Sequence, residues 1–399
     1  MTLDIQTLKD SLGRKFRGAS IDDVQGISDF SVFREASSNM LSKIDPMETI
    51  RIMRFDVFSD VVYYDPADDL KGKKLVDPRP QDGRAGEDFS QTYSKEFDRD
   101  RELGKISVEF IDGDKVLGIA ASGKGSVNVD QTALTTEWTA AGGATGLEID
   151  EVIELDGSHT LRFDLGAVGG YIEAGVAADM TQIDLADHED FSSFFRKVYI
   201  PQGFEDITSI KERIGSASGA YWEITGVPHV GQYKDGVNLV RFDWSDATET
   251  GSPSAAAIDY ERLIFVTTDS IADVRVGPLS SKLPTPYESS YYSNRIFRSS
   301  AGAWLETPSS DEDSIEIEKE AENIFFYECC QIVAEDLQND EEAMKFRKKL
   351  GIDEQGDLTG GGLYGDYKRD KPSEALQPHT RYIDLRRRRK GPGFRTRLR

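Results

Sequence analysis

Apolar residues recur at three- and four-residue steps from Ile317 through Ala321, Ile324, Phe325, Cys329, Ile332 and Val333 to Leu337, with Glu328 the polar member of the series. This spacing predicts one α-helix over about 319–350. Phe326, Tyr327 and Cys330 widen the stripe until the middle of the helix is apolar nearly all round, so other helices must cover it. The candidates lie at the far end of the chain. Ile5, Leu8, Leu12 and Phe16 share one helical face before Gly18. A second helix, capped by Ser28 or Asp29, turns Phe30, Phe33, Ala36, Ser37, Met40, Leu41 and Ile44 inward until Asp45 and Pro46 end it.

From Glu48 the period shortens. ETIRIMRFDVF and VVYYDPADDLKGKKLVDPRPQ read as extended segments broken by turns, and 80–103 reads as a polar loop. Between Lys105 and about Val266, short alternating segments (ISVEFI, KVLGIA, TLRFDLG, YIEAGV, FFRKVYI, AYWEIT, VNLVRFDW, ERLIFVT) separated by glycine-rich turns predict an antiparallel sandwich or jelly roll. Two further strands, about 293–298 and 303–307, precede the long helix. The fold class expected is therefore α+β and multidomain. Residues 1–104 and 268–351 form a discontinuous small α-helical bundle, 105–267 an inserted β-sandwich, and 352–399 an extended C-terminal arm with a basic tail. Insertion is tolerated where both ends of the guest leave the host close together.

Composition adjusts this picture in three ways. The 399 residues are 38% hydrophobic and 30% charged, enough for several packed cores. A run of about 20 apolar residues is absent, so no membrane span is expected, and the acidic start MTLDIQTLKD has no apolar stretch of the secretory kind. The net charge is −24, yet residues 386–399 carry eight basic and no acidic side chains, which leaves −32 on the rest. A cationic segment on so acidic a body seeks an acidic surface, either protein or nucleic acid. Leu385, Phe394 and Leu398 supply apolar anchors beside Arg386, Arg387, Arg388, Arg389, Lys390, Arg395, Arg397 and Arg399, and docking on protein is preferred because Phe394 is the one aromatic available to stack on bases.

Chemistry for catalysis is sparse. Nucleophile elbows, phosphate-binding loops and zinc signatures are lacking. His159, His188, His229 and His379 fall in separate segments, and the adjacent Cys329 and Cys330 read as small core residues. No enzyme activity, cofactor or metal is expected. The acidic run DMTQIDLADHED at 179–190 offers carboxylates to calcium, but at a spacing that favours a solvated loop. In the sandwich, Tyr221, Trp222, Tyr233 and Trp244 are the candidates for stacking on sugar rings, although alternation turns one of Tyr221 and Trp222 inward.

The sequence also carries a resemblance. The first helices ending in DPMET, the turn YYDPADDLKGKKLVDPRPQ, the pair YYSNRIFR and AGAWLE, and the helix at 319–350 together resemble head-to-tail adaptor, or connector, proteins of tailed bacteriophages, over roughly 1–104 and 280–385. That resemblance implies a structural virion protein of the neck, at the head-tail junction, made in the host cytoplasm. It implies a homo-oligomeric ring, usually a dodecamer, with the portal protein, tail or nozzle proteins and fibres as partners. It also implies DNA passing through the lumen without sequence-specific contact, no membrane, and the C-terminal arm gripping portal or neighbouring subunits. The strands YWEIT, DGVNLVRFDW and IDYERLIF look similar to carbohydrate-binding-module-like jelly rolls. The alternative is therefore a glycan-binding virion or surface protein in which this module is the working part.

Overall fold

The structure, a computed structural model, describes residues 3–16, 24–80, 90–91, 105–111, 113–120, 125–129, 137–155, 158–175 and 180–370. The chain divides into two compact units, one of Met1–Met53, Ala67–Arg79 and Glu288–Arg399, the other of Arg54–Pro66 and Pro80–Tyr287. The dividing points thus lie before 104 and after 268. Strands Ile271–Val276 and Ser280–Lys282 pair with strands of the sandwich, and this takes them into the second unit.

In the first unit, α1 (Ile5–Lys15), α2 (Gln25–Ser28) and α3 (Ser31–Lys43) precede α4 (Lys319–Asp336), α5 (Asp340–Leu350) and α6 (Gly362–Asp370). Asp4 caps α1, its side chain accepting from the Thr7 N–H at 2.6 Å. Ala321, Ile324, Phe325, Cys329, Ile332 and Val333 of α4 are buried together with Ile5, Leu8 and Leu12 of α1 and Phe33, Ala36 and Met40 of α3. The covering of the late helix by the early ones is thus direct. A purely helical bundle is not what forms. The same core takes in Phe297 and Ile315 from a four-stranded antiparallel sheet, ordered Leu3–Asp4, Ser314–Ile315, Phe297–Arg298, Trp304–Leu305.

The helix expected over 319–350 is two helices. Gln338 adopts a left-handed φ of 56°, and the Asn339 side chain accepts from the Glu342 N–H at 3.2 Å, capping α5 afresh. The stretch after 351 also departs from the expected arm. Gly351 ends α5 at φ 85°, where a Cβ would come within 1.8 Å of the Gly361 carbonyl. The chain then folds back into α6, whose Tyr364 and Tyr367 are buried. Tyr364 donates to Glu328 at 2.5 Å and Tyr367 donates to Glu318, and Lys43 donates to Glu328 at 3.4 Å. Glu328, the polar residue in the apolar stripe, is the anchor of α6.

The second unit is an antiparallel sandwich. Its strands are β1 (Trp138–Ala141), β2 (Thr145–Leu155), β3 (Ser158–Leu165), β4 (Gly170–Ala174), β5 (Ser193–Ile200), β6 (Ile207–Ala217), β7 (Ala220–Pro228), β8 (Gly236–Asp243), β9 (Tyr260–Thr267) and β10 (Ile271–Val276). One layer runs β2-β3-β10-β5-β8 and the other β1-β4-β9-β6-β7. β7 belongs to both: Tyr221 to Gly226 pair with β6, whereas Val227 and Pro228 pair with Arg241 and Val240 of β8. The crossing point is Gly226, where a Cβ would lie 2.5 Å from the Phe242 ring and 2.6 Å from a Val240 methyl. Phe163, Phe194, Phe242, Ile210, Leu263 and Phe265 fill the space between the layers. Strands Tyr63–Tyr64, Asp114–Ala120, Lys105–Ile111 and Ser90–Gln91 make a separate small sheet in this unit. Among the described residues, no helix is long and apolar enough to cross a membrane.

Candidate functional site

Alternation along the strands of the β1-β4-β9-β6-β7 layer sorts side chains between interior and solvent. Inward go Ile172, Ile210, Ile214, Trp222, Ile224, Leu263 and Phe265, all buried. The opposite face has a different chemistry. Strand register aligns Thr139, Glu173, Arg262, Arg213, Glu223 and Thr248 in one row across the five strands of this layer and the short strand Thr248–Thr250 that pairs with β7. Five strand spacings make this row about 24 Å long. Tyr171 flanks it on one side; Tyr260, Gly215 and Tyr221 are mutual partners on the other.

The row is held by its own charges. Arg262 donates to Glu173 from Nε at 2.8 Å and from Nη2 at 2.5 Å. Arg213 donates to Glu223 from Nε at 2.7 Å, and Lys211 donates to the other oxygen at 2.9 Å. The like-charged neighbours Arg262 and Arg213 are therefore each flanked by a carboxylate. Burial works against ionisation of Glu223, but the hydrogen bonds from Lys211 and Arg213 outweigh it and hold its carboxyl below the ordinary range. Guanidinium groups and rings interleave as well. Arg262 lies 4.4 Å from the Tyr171 centroid and 5.8 Å from that of Tyr260, and Arg213 lies 4.6 Å from that of Tyr221. Tyr221 and Tyr260 meet at 6.2 Å. Gly215 stands between these two because a Cβ there would come within 2.2 Å of the Ala220 carbonyl.

Tyr171 and Tyr221 are half-buried and Tyr260 is fully buried. The phenol of Tyr260 is pushed up to about 12, chiefly by burial. The face thus offers parts of two aromatic rings beside fixed donors and acceptors, on rigid strands rather than on loops. Such a surface can stack on an apolar ring face while bonding to hydroxyl groups at its edge.

The candidates read from sequence fall in different places. Tyr221 is on this face. Trp222, its neighbour, points inward, is 6% exposed, and meets Trp244 edge to face at 5.2 Å. Trp244 is 1% exposed and lies 4.9 Å from Phe194. Both indoles are core side chains with no face toward a ligand, contrary to their reading as sugar contacts. Tyr233 is half-buried, donates to the Gly226 carbonyl at 3.2 Å and packs against the sandwich core, off the row. Tyr171, Glu173, Arg213, Glu223, Tyr260 and Arg262 were not singled out by the sequence. The available signal was the repeated alternation in YIE, KER, YWE and YER, which places a tyrosine or a cation two residues from a charge on one side of four strands.

Leu385, Arg386, Arg387, Arg388, Arg389, Lys390, Phe394, Arg395, Arg397, Leu398 and Arg399 lie outside the described residues. Cys329 and Cys330 are buried free thiols, the latter pushed up to about 12 by burial. Among the described residues, no group of three or more His, Cys, Asp or Glu side chains could hold a metal ion.

No protein-family model and no curated protein matches the chain. Among solved structures, it is similar to a family 11 carbohydrate-binding module from Clostridium thermocellum in complex with a β-1,3-1,4-mixed-linked tetrasaccharide. The identity is 12%, over 40% of this chain and 96% of that one, with a TM-score of 0.29. It is also similar to a family 30 carbohydrate-binding module of a cellulosomal cellulase of the same organism, at 11% identity over 41% and 96% of the two chains, with a TM-score of 0.27. A third is a xylan-binding domain of family 22, at 14% identity over 39% and 93%, with a TM-score of 0.24. All three are carbohydrate-binding modules; none is a head-to-tail adaptor.

Proposed function

We propose that the second unit binds a polysaccharide chain along the solvent face of the β1-β4-β9-β6-β7 layer. The observation that carries this reading is the row Thr139–Glu173–Arg262–Arg213–Glu223–Thr248 with tyrosines along its sides. An extended ligand suits an extended row. Its ring faces would rest on Tyr171 and Tyr221, and its hydroxyl groups would bond to carboxylate and guanidinium groups whose mutual pairing keeps them in place before the ligand arrives. The reading is of binding without hydrolysis. Glu173 and Glu223 stand three strand spacings apart, roughly 14 Å, beyond the range of about 5–9.5 Å over which paired carboxylates cleave a glycosidic bond.

The test is affinity electrophoresis and calorimetry of the full chain on a panel of soluble polysaccharides, mixed-linkage β-glucan and xylan among them. Tyr171→Ala and Tyr221→Ala should each weaken binding about tenfold, the loss of one stacking contact of roughly 1–1.5 kcal/mol, measured where both variants remain folded. Trp222→Phe should leave affinity unchanged. Absence of binding across the panel, or binding indifferent to both tyrosines, overturns the reading.

A further inference from the structure

The row along the β1-β4-β9-β6-β7 layer is not electrically even. Its charges run Glu173, Arg262, Arg213, Glu223, so two cations stand side by side at the centre with a carboxylate on each outer side. Lys211 adds a third cation next to Glu223, which leaves Lys211, Arg213 and Arg262 one charge in excess of Glu173 and Glu223. Like charges directly opposite one another on paired strands are unfavourable, yet Arg213 and Arg262 are register partners across β6 and β9. Each is held from its outer side. Arg262 reaches Glu173 through Nε and Nη2, and Arg213 reaches Glu223 through the same two atoms. Among the described residues, no acceptor is bonded to Nη1 of either arginine. The two side chains are 23% and 20% exposed, so a ligand can reach them although most of their surface is already covered.

A guanidinium has five N–H donors and no acceptor, and one carboxylate does not use them all. The donors left on two adjacent guanidinium groups suit an anion that accepts from both, and charge-assisted bonds of this kind are about twice as strong as neutral ones. A sugar hydroxyl can accept there too, but it leaves the central charge uncompensated. The −24 of the whole chain opposes an anionic ligand at long range. At physiological salt the screening length is about 8 Å, so the five charges of the row set the potential at its centre. The same pattern limits how much negative charge is welcome. An acid group displaced along the row from its centre would meet Glu173 or Glu223, so the arrangement suits one anion with neutral neighbours and not a polymer charged at every sugar.

We propose that the polysaccharide taken by this face carries uronic acids set singly among neutral sugars, with one uronate carboxylate received by Arg213 and Arg262 together. The inference rests on the polysaccharide reading above and narrows it. Glucuronoxylan and gellan, both of which space their uronates among neutral sugars, are the probes, each compared with its carboxyl-reduced form by calorimetry on the full chain at neutral pH. The acidic form of at least one should bind about tenfold more tightly than its reduced form, and Tyr171→Ala should weaken both forms alike. Arg213→Gln and Arg262→Gln should each abolish the preference for the acid. The comparison of acidic and reduced polymer on the parent chain is decisive even if an arginine variant fails to fold. Equal affinity for the two forms, with binding still dependent on Tyr171 and Tyr221, overturns this inference and leaves polysaccharide binding standing. A preference for the acid that survives in both arginine variants overturns it as well. Absence of binding to every polymer, neutral mixed-linkage β-glucan included, overturns the inference and the reading beneath it.

Discussion

Replacing Arg196 by methionine removes the cation that faces two carboxylates in the middle of the sandwich. Arg196, Glu212 and Glu261 are each 0% exposed. The guanidinium Nε lies 3.3 Å from Glu212, Nη2 is bonded to Glu261, and Nη1 donates to the Gly277 carbonyl at 2.9 Å. Removing one member of such a set, so that buried charge loses its counterpart, costs about 3–5 kcal/mol, and the carbonyl that loses its donor adds about 1 kcal/mol. For a unit of this size, with a urea slope of about 2–3 kcal/mol per molar, the midpoint should fall by roughly 1.3–3 M. Tryptophan fluorescence reports the transition, since Trp138, Trp222 and Trp244 all belong to this core. The carboxylates left behind can discharge by taking up a proton, so the deficit should shrink from about pH 8 to about pH 5. The triple variant Arg196→Met, Glu212→Leu, Glu261→Leu removes charge and desolvation cost together and should return to within about 1 kcal/mol of the parent, or exceed it. A single variant with an unmoved midpoint, or a triple variant as unstable as the single one, refutes this account of the interior.

Three further outcomes are expected. His229 titrates near 6.5 when unfolded and at about 4 when folded, so the unfolded chain binds the extra proton between those values. Stability of the second unit is full above pH 6.5 and is lost as pH falls toward 4, by up to about 3 kcal/mol; urea titrations of the parent and of His229→Phe, whose profile should be flatter, check it. Tyr364→Phe removes the phenol that donates to the buried Glu328 and should cost about 1–3 kcal/mol locally, read as faster amide exchange across α6 with α4 still protected. Truncation after Asp384 should leave both unfolding transitions in place and abolish assembly on portal rings if the resemblance to adaptors holds for the C-terminal segment; electron microscopy of mixtures with a portal ring decides it.

The parts of this architecture that could be read from sequence are those where burial and period coincide. The α4 stripe buries Ala321, Ile324, Phe325, Glu328, Cys329, Ile332 and Val333 as the spacing predicts, because one side of a helix facing one core leaves a regular trace; Leu337, at its end, is exposed, and Ala334 is buried outside the predicted series. The break at Gln338 has a trace that the reading of one long helix passes over: the apolar series stops at Leu337, residues 338–342 are all polar, and Asn339 before Asp340, Glu341 and Glu342 is the composition of a capped helix start. The α6 segment reads as extended because its composition is glycine-rich and charged, while two tyrosines bonded to buried glutamates fix it. In the sandwich, alternation placed strands well but could not say which face met solvent. Trp222 reads as a ligand contact and is interior; Glu212, Glu261 and Arg196 are interior too, and nothing local in the sequence marks them, because their compensation comes from opposite layers far apart in sequence.

The passage of β7 from one layer to the other constrains how this protein can change over generations. Between Tyr221 and His229 every position has a fixed side: Tyr221 and Glu223 outward, Trp222 and Ile224 inward, Gly226 at the crossing. One residue gained or lost in this span would invert the side chains beyond it, turning an indole to water and a carboxylate into the core. Point substitutions outside Gly226 can be absorbed here one at a time, whereas insertions and deletions cannot. The length of this segment should therefore be invariant among descendants of the chain, even where the surface loops on either side of it vary freely.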